Sequence, residues 1–570
     1  MRIKMAQTAG FCMGVRRAIE LALNSLRKSP QPIYTYGPLI HNPQVLEMLE
    51  LQGIQVLKEI PPAGHMEGGT IIIRAHGVPP QAKENLKKAG FSQIIDGTCA
   101  RVIRVQNIIS RAARQGFQVV IVGDADHPEV VGLLAHAAGQ GFVISDSDEA
   151  ANLPADLRGP VVVAQTTQNQ EVYQQLCDML KNRYPQIQIN QTICAATHKR
   201  QAEVIKLAKE VDGVIVVGGR QSGNSLRLAK LAEENGGKAF LVESEEDLDS
   251  RQLEHFNSIG ITAGASTPNW MIKRVTRHVK DLSARTTHPL LHGLKNIGRF
   301  LFRSQIVLAL GAACLSVAAC RMQELPIVWP VAVLAFCFIL AMHLVNRLLR
   351  NQADRYNDPD QTAFLQKYKV LLWILAGISI IVAMLIGARL GPWPFLMLMI
   401  MVGLGLIYST RKMAGRLKSI PGSKTINTVG AWGMITVLLP ALTYHYFALP
   451  ACFLALLYVM GLVFIRNSMV DLVSMQGDLF MGQETVPILL GAGKTETVLK
   501  IFSAVLIVLL IAAPFVVTYW PFALSLILGL PIIGLALLQY NISARAIFPD
   551  VRKLFVMDAC LWMTALSILV

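Results

Sequence analysis

"TAGFCMGVRRAIE" (residues 8–20) sets a cysteine between a glycine-containing turn and the start of a helical pattern. Two later stretches repeat the arrangement, "DGTCARVIRVQ" (96–106) and "QTICAATHKRQAE" (191–203), with Cys99 and Cys194 in the place of Cys12. In each, a strand-like or turn segment leads to the cysteine and a helix follows. A cysteine there lies beside backbone N–H groups and the positive end of a helix dipole, which favours the thiolate.

Two further features recur in step. Apolar strands run into polar turns at "IYTYGPLIHNPQV" (33–45, His41), "QVVIVGDADHPEV" (118–130, His127) and "GVIVVGGRQSGNS" (213–225, Ser222), which lie 29, 28 and 28 residues after the three cysteines. A second set of strands ends at "TIIIRAHGVPP" (70–80, His76), "PVVVAQTTQNQ" (160–170, Thr166 and Thr167) and "SIGITAGASTPNW" (258–270, Ser266). Strands alternating with helices imply βαβ units and parallel pairing, repeated at intervals of about 90 residues. The expected fold is a pseudo-threefold, three-lobed α/β domain. Its polar turns gather at the carboxyl ends of the strands, which brings three thiols together.

Three converged thiolates fit zinc with a fourth ligand, an iron–sulfur cluster held at three irons, or three packed structural cysteines. The spacings of 87 and 95 residues match no local zinc signature. Cys177, in "YQQLCDMLKNRY", falls outside the repeat and reads as packing. Around the thiols, His41, His76, His127, Thr166, Thr167, Ser222, Asn224 and Ser266 offer small donors at strand-to-helix turns. Such a set suits a diphosphate better than a sugar. Glu129 is the candidate proton source in a constellation poor in acids.

These motifs, in order "GFCMGV", "HNPQV", "RAHGV", "DGTC", "DADHPEV", "QTT", "TICAAT", "SGNS" and "TAGAS", resemble the 4-hydroxy-3-methylbut-2-enyl diphosphate reductase family over residues 1–281. Asp124 and Asp126, beside His127, are minor departures from its pattern. The resemblance implies a [4Fe–4S] cluster on Cys12, Cys99 and Cys194. It implies diphosphate binding by His41, His76, His127, Ser222, Asn224 and Ser266, and proton relay by Glu129 with Thr166 or Thr167. It further implies the last step of the non-mevalonate isoprenoid pathway and a ferredoxin- or flavodoxin-type electron donor.

The remainder has another character. Of the net charge of +15, residues 301–570 contribute +9 with 19 Lys/Arg and 10 Asp/Glu, mostly between apolar segments. That distribution fits cytoplasmic membrane loops rather than nucleic-acid binding. Residues 282–303 read as a basic amphipathic linker at a lipid surface. Nine apolar segments follow, near 304–320, 327–345, 369–388, 392–408, 426–443, 448–465, 500–518, 520–539 and 554–570. Most approach the roughly 20 residues that span a bilayer. The expectation is an all-α, nine-helix transmembrane domain over 304–570, multi-pass in the inner (plasma) membrane. Lys/Arg-rich loops place the first domain in the cytoplasm. The amino terminus reads as strand, turn and helix rather than as a signal peptide.

Two loops between these segments resemble the motifs of UbiA-type intramembrane prenyltransferases. Asp471, Gly477, Asp478, Gly482, Thr485 and Pro487 match the second family motif, with Ser474 where its middle carboxylate stands. Arg416 and Lys418 resemble its basic diphosphate-binding loop. The first motif, aligned without gaps, falls on Asn346, Arg347, Arg350, Asp354, Asn357 and Pro359. Two carboxylates have become arginines where the family's Mg²⁺ ions need carboxylate ligands. A register shifted onto Asp354 and Asp358 ranks second. The first reading of this half is a non-catalytic prenyl-diphosphate binding or anchoring domain. The others are an active prenyltransferase with altered metal use and a purely structural anchor. The rival for the whole chain is a metal-binding membrane scaffold without catalysis.

Overall fold

Branched apolar runs form the strands at the centre of the first half. Thr70–Ile73, Val119–Val122, Val161–Ala164, Gly213–Val217 and Ser258–Ala263 are buried at every residue. Unbroken burial means helices cover both faces, as parallel sheets require. The computed structural model describes the chain except residues 254, 284–288, 328, 350–357, 410–421, 447, 481–484, 518 and 542–550. The chain divides into two units, Met1–Arg285 and Thr286–Val570.

The first unit holds three four-stranded sheets, all parallel. One has the spatial order Ile54–Leu57, Ile33–Tyr36, Thr70–Ile73, Gln93–Asp96. The next runs Gly141–Ile144, Val119–Val122, Val161–Ala164, Gln188–Ile189. In the third, Lys238–Val242, Gly213–Val217 and Ser258–Ala263 are completed by Arg2–Met5 from the start of the chain. That last pairing, Arg2 opposite Ser258 through Met5 opposite Ile261, closes the ring of lobes. It also resets the register of the repeat. Each cysteine follows the edge strand that ends a lobe, so Cys12 belongs to the same sheet as Ser222 and Ser266 rather than opening a lobe with His41.

The second unit is helical. All nine apolar segments lie on helices, the last on Val551–Trp562 and a tighter 3-10 turn from Met563 to Leu569. Among the described residues, seven single helices are long and apolar enough to cross a bilayer. An eighth span arises if Asn296–Arg303 and Ile306–Met322, bent by 60°, count together. Lys369–Leu390 exposes Ile378, Ile381 and Leu385, each more than half accessible, along one stripe. In water such a stripe would be unfavourable, whereas hydrocarbon accepts it. The unit is that of a multi-pass membrane protein.

Inside this unit, Arg466 on Leu449–Phe480 meets Asp558 on Val551–Trp562. Arg466 Nε and Nη2 donate to Asp558 Oδ1 at 2.9 and 2.7 Å, and Nη1 donates to Asn467 Oδ1 at 3.0 Å. Both side chains are largely buried, so removing one partner strands a charge. Asp558→Ala should lower stability by about 3–5 kcal/mol, whereas Arg466→Met/Asp558→Leu should recover most of it. Thermal unfolding in detergent measures both, and equal midpoints for the single and double variants would contradict this.

Candidate active site

Each cysteine caps a helix: Cys12 for Met13–Lys28, Cys99 for Ala100–Arg114 and Cys194 for Ala195–Ala208. Each is pinned in the same way. The backbone N–H of Cys12 donates to the Ala265 carbonyl, that of Cys99 to Ala75 and that of Cys194 to Thr166, at 3.0, 2.9 and 2.9 Å. These acceptors sit in the polar turns that hold Ser266, His76 and Thr166, so every thiol is locked beside a hydrogen-bonding turn. The Val15 N–H points at Cys12 Sγ, 3.5 Å away.

One open cleft of about 780 Å³ is lined by Cys12, Cys99 and Cys194 together with His41, His76, His127, Glu129, Thr166, Thr167, Ser222, Asn224 and Ser266. All twelve residues expected for the first half therefore share one cavity. Gly14 lies among the thiols, and a Cβ there would approach Cys99 Sγ to 2.6 Å. Among the described residues no three His, Cys, Asp or Glu side chains close on a single metal ion. The three thiols line one cleft with open room at Gly14, a soft donor set of the kind that holds an iron–sulfur cluster. Burial raises the Cys99 thiol, and the neighbouring Cys12 and Cys194 add to this. A positively charged inorganic centre would relieve that repulsion.

The imidazoles of His41, His76 and His127 stand 4.5–5.7 Å apart between ring centroids. Burial and the Arg74 guanidinium hold all three below the ordinary histidine range, and neighbouring imidazoles add to this for His76, which lies well below, and for His127, lowered to about 4. His127 Nδ1 accepts from the Glu129 N–H at 3.1 Å, so the neutral ring carries its proton on Nε2. His41 Nε2, His76 Nδ1 and Asn224 Nδ2 are buried without a hydrogen-bond partner. Buried orphans of this kind are costly, and an anion's oxygens would satisfy them. The helices Pro43–Leu51, Pro128–Ala135 and Gly223–Glu234 start at these same turns and add their positive ends.

Glu129 is 2% exposed. Its carboxylate accepts from the Thr166 N–H at 2.7 Å and pairs with Thr166 Oγ1 at 3.0 Å. Burial raises its proton affinity, and the Thr166 bonds only partly oppose this. Three residues escaped the sequence reading. Arg200 is 4% exposed, donates to the Gly10 carbonyl and lines the cleft. Arg74 bears on all three histidines, and Gly14 leaves the thiols their room. The repeating pattern marked turn positions but not these side chains on adjoining elements.

In the membrane unit, Asn346 and Arg347 lie on the last turn of Trp329–Leu349, and Asn346 Oδ1 is buried without a partner. Asp471 and Asp478 share the helix Leu449–Phe480 and are both buried. Lys424 Nζ reaches Asp471 at 3.0 Å and Asp478 at 3.9 Å. Ser474 turns its hydroxyl back onto the Val470 carbonyl. Asp358 caps the helix Pro359–Lys367 and faces Arg303 at 3.8 Å, which commits it structurally. Arg350, Asp354, Arg416 and Lys418, like Gly482, lie outside the described residues.

Three parallel lobes around a cleft of thiols, imidazoles and hydroxyls define a protein built to hold a thiol-bound group beside a small anion. Residues 3–280 match the family model described as LytB protein. The first half is 40% identical over 288 residues to a 4-hydroxy-3-methylbut-2-enyl diphosphate reductase of Geotalea uraniireducens (strain Rf4), covering 50% of this chain and 100% of that one. The chain belongs to the LytB family. It is also similar to the E-1-hydroxy-2-methyl-but-2-enyl-4-diphosphate reductase structure from Plasmodium falciparum, at 29% identity and TM-score 0.46, over 50% of this chain and 88% of that one. A UbiA homolog from Aeropyrum pernix K1 aligns over 47% of this chain and 98% of its own at 14% identity and TM-score 0.36.

Neutral imidazoles that gain an anion become better bases, so binding draws protons in. Inorganic diphosphate should bind the full-length protein with proton uptake at neutral pH, and its affinity should rise as pH falls, by at most about tenfold per pH unit for each proton taken up. Calorimetry in buffers of different ionisation enthalpy measures the uptake. His76→Gln should show less of it than the wild type, and equal uptake would mean the histidines do not meet the anion.

Proposed function

We propose that the first half, residues 1–281, reduces 4-hydroxy-3-methylbut-2-enyl diphosphate to isopentenyl and dimethylallyl diphosphates. The observation that carries this is the one cleft shared by three cysteines at helix N-caps and a wall of imidazoles, hydroxyls, an amide and one buried carboxyl. The stoichiometry is two electrons and two protons in, with the substrate's hydroxyl oxygen leaving as water. Cys12, Cys99 and Cys194 would hold a [4Fe–4S] cluster, which when bound supplies one-electron transfer and Lewis acidity.

The chain's own groups supply the rest. His41, His76 and His127, with Ser222, Asn224 and Ser266, bind the diphosphate and fix the orientation of the five-carbon unit. Glu129, buried and with raised proton affinity, keeps a proton to higher pH than an exposed carboxyl. Thr166 Oγ1, 3.0 Å from it, extends the donor path, and Thr167 stands next in the cleft. Arg74 and Arg200 counter the negative charge of phosphate and thiolates. Electrons come from a small ferredoxin- or flavodoxin-type donor, and the protein sits in the plasma membrane with this half in the cytoplasm.

For the second half we propose a prenyl-diphosphate binding role without a two-metal centre. Mg²⁺ does not fit the described residues. Arg347 stands where a ligating carboxylate would, Ser474 is turned onto the backbone, and Lys424 already serves as a cation to Asp471 and Asp478.

Anaerobically prepared full-length protein should show cluster absorbance that Cys99→Ala removes, and an apo or zinc-only protein would overturn the reductase reading. Glu129→Gln should lower kcat by about 10²–10⁴ with the cluster spectrum unchanged. Activity of the wild type should fall as pH rises through the Glu129 pKa. For the membrane half, Mg²⁺-dependent release of diphosphate from a prenyl diphosphate and an aromatic acceptor, lost in Asp471→Ala, would replace the binding role with catalysis.

A further inference from the structure

Asp124, one of two acidic residues beside His127, does not line the cleft. Both oxygens of its carboxylate nevertheless meet Arg227. Arg227 Nη2 donates to Asp124 Oδ1 and Oδ2 at 2.8 and 2.7 Å, while Arg227 Nη1 donates to the Thr167 carbonyl at 2.7 Å. The Asp124 N–H donates to Gln165 Oε1, and Gln165 Nε2 donates to Thr167 Oγ1, both at 3.1 Å. The bonds form a closed ring: Asp124, Arg227, Thr167, Gln165 and back to Asp124.

The ring joins three segments. One is the turn before Pro128–Ala135, which carries His127 and leads to Glu129. The second is the turn after Val161–Ala164, which carries Thr166 and Thr167. The third is the helix Gly223–Glu234, where Asn224 lies one turn before Arg227 on the same face. The first two segments belong to one sheet and the third follows a strand of another, so Arg227 spans two lobes. A planar guanidinium presents separate donor nitrogens, so Nη1 holds the carbonyl while Nη2 holds the carboxylate in one fixed geometry. The Arg227 side chain is 17% exposed, which sets this pair apart from an ordinary solvated ion pair. Its charge also bears on both His127 and Glu129.

We propose that Arg227 is a positioning residue that holds the phosphate-binding start of the helix Gly223–Glu234 in register with the His127–Glu129 and Thr166–Thr167 turns, with Asp124 as its anchor. Its kinetic consequence rests on the reductase reading. Its binding consequence does not.

The test uses full-length, cluster-loaded protein in detergent with Arg227→Lys, Asp124→Asn and the double variant. Calorimetry gives the affinity for inorganic diphosphate, and steady-state assay gives KM and kcat for 4-hydroxy-3-methylbut-2-enyl diphosphate. Lysine keeps the charge but offers one nitrogen in place of two donor nitrogens held at a fixed planar spacing. Arg227→Lys should weaken diphosphate binding about tenfold and raise KM in parallel, with kcat changed less than about threefold, and the double variant should be no worse than Arg227→Lys alone because the two residues act as one unit. Affinity and KM within about twofold of wild type, or additive effects of the two substitutions, would overturn the proposal. Should Arg227→Lys fail to fold, Asp124→Asn on its half-exposed side chain carries the test, and unchanged diphosphate affinity overturns it. Diphosphate binding that responds as described in a protein that never turns over the substrate would sink the reductase reading and leave the positioning role standing.

Discussion

A parallel strand cannot turn back on itself; it needs a crossover that returns the chain to the same end. Every strand of the first unit obeys this, so all the turns at strand carboxyl ends face one way within a lobe. The site follows from that constraint. The backbone N–H of each cysteine is bound to the carbonyl of a turn on the neighbouring strand, at Ala265, Ala75 or Thr166. Thiol and polar turn are therefore placed by the same ladder that builds the sheet. Three lobes then present three such pairs to a common centre. The pairing of Arg2–Met5 with Ser258–Ala263 completes the third pair, so Cys12 depends on a contact between the two ends of the domain.

Electrostatics decides what this centre accepts. Glu129 is the sole carboxylate on the cleft wall among the described residues, and burial favours its neutral form. The histidines are neutral for the same reason. Burying neutral imidazoles costs far less than burying imidazolium ions. An arriving diphosphate changes the sign of the problem. Each imidazole can then hold a proton against an anion, and the unpartnered His41, His76 and Asn224 atoms find acceptors or donors.

Much of this was legible in the sequence because strand, turn and helix leave local marks. The repeats around Cys12, Cys99 and Cys194 fixed the three-lobed α/β class, and the turns named the twelve residues that share the cleft. What stayed hidden was non-local. No pattern near Cys12 says that its strand pairs with Ser258–Ala263. Arg227 and Asp124 are 103 residues apart and Arg466 and Asp558 are 92 apart. Their pairing depends on how lobes and helices pack. Hydropathy found the membrane helices but not the bend of 60° at their start, which depends on the left-handed backbone of Gln305 (φ 66°) rather than on apolarity.

The membrane unit poses a question of charge balance rather than of fold. Asp471 and Asp478 are buried on one helix, and two carboxylates so placed need a cation. Lys424 brings a positive charge to them, at 3.0 Å from Asp471 and 3.9 Å from Asp478. Arg466 is already neutralised by Asp558, and Arg347 lies within electrostatic reach of that pair. A lysine is a compact point charge with rotatable donors. It can bind a phosphate oxygen, but it cannot gather six oxygens in an octahedron as Mg²⁺ does.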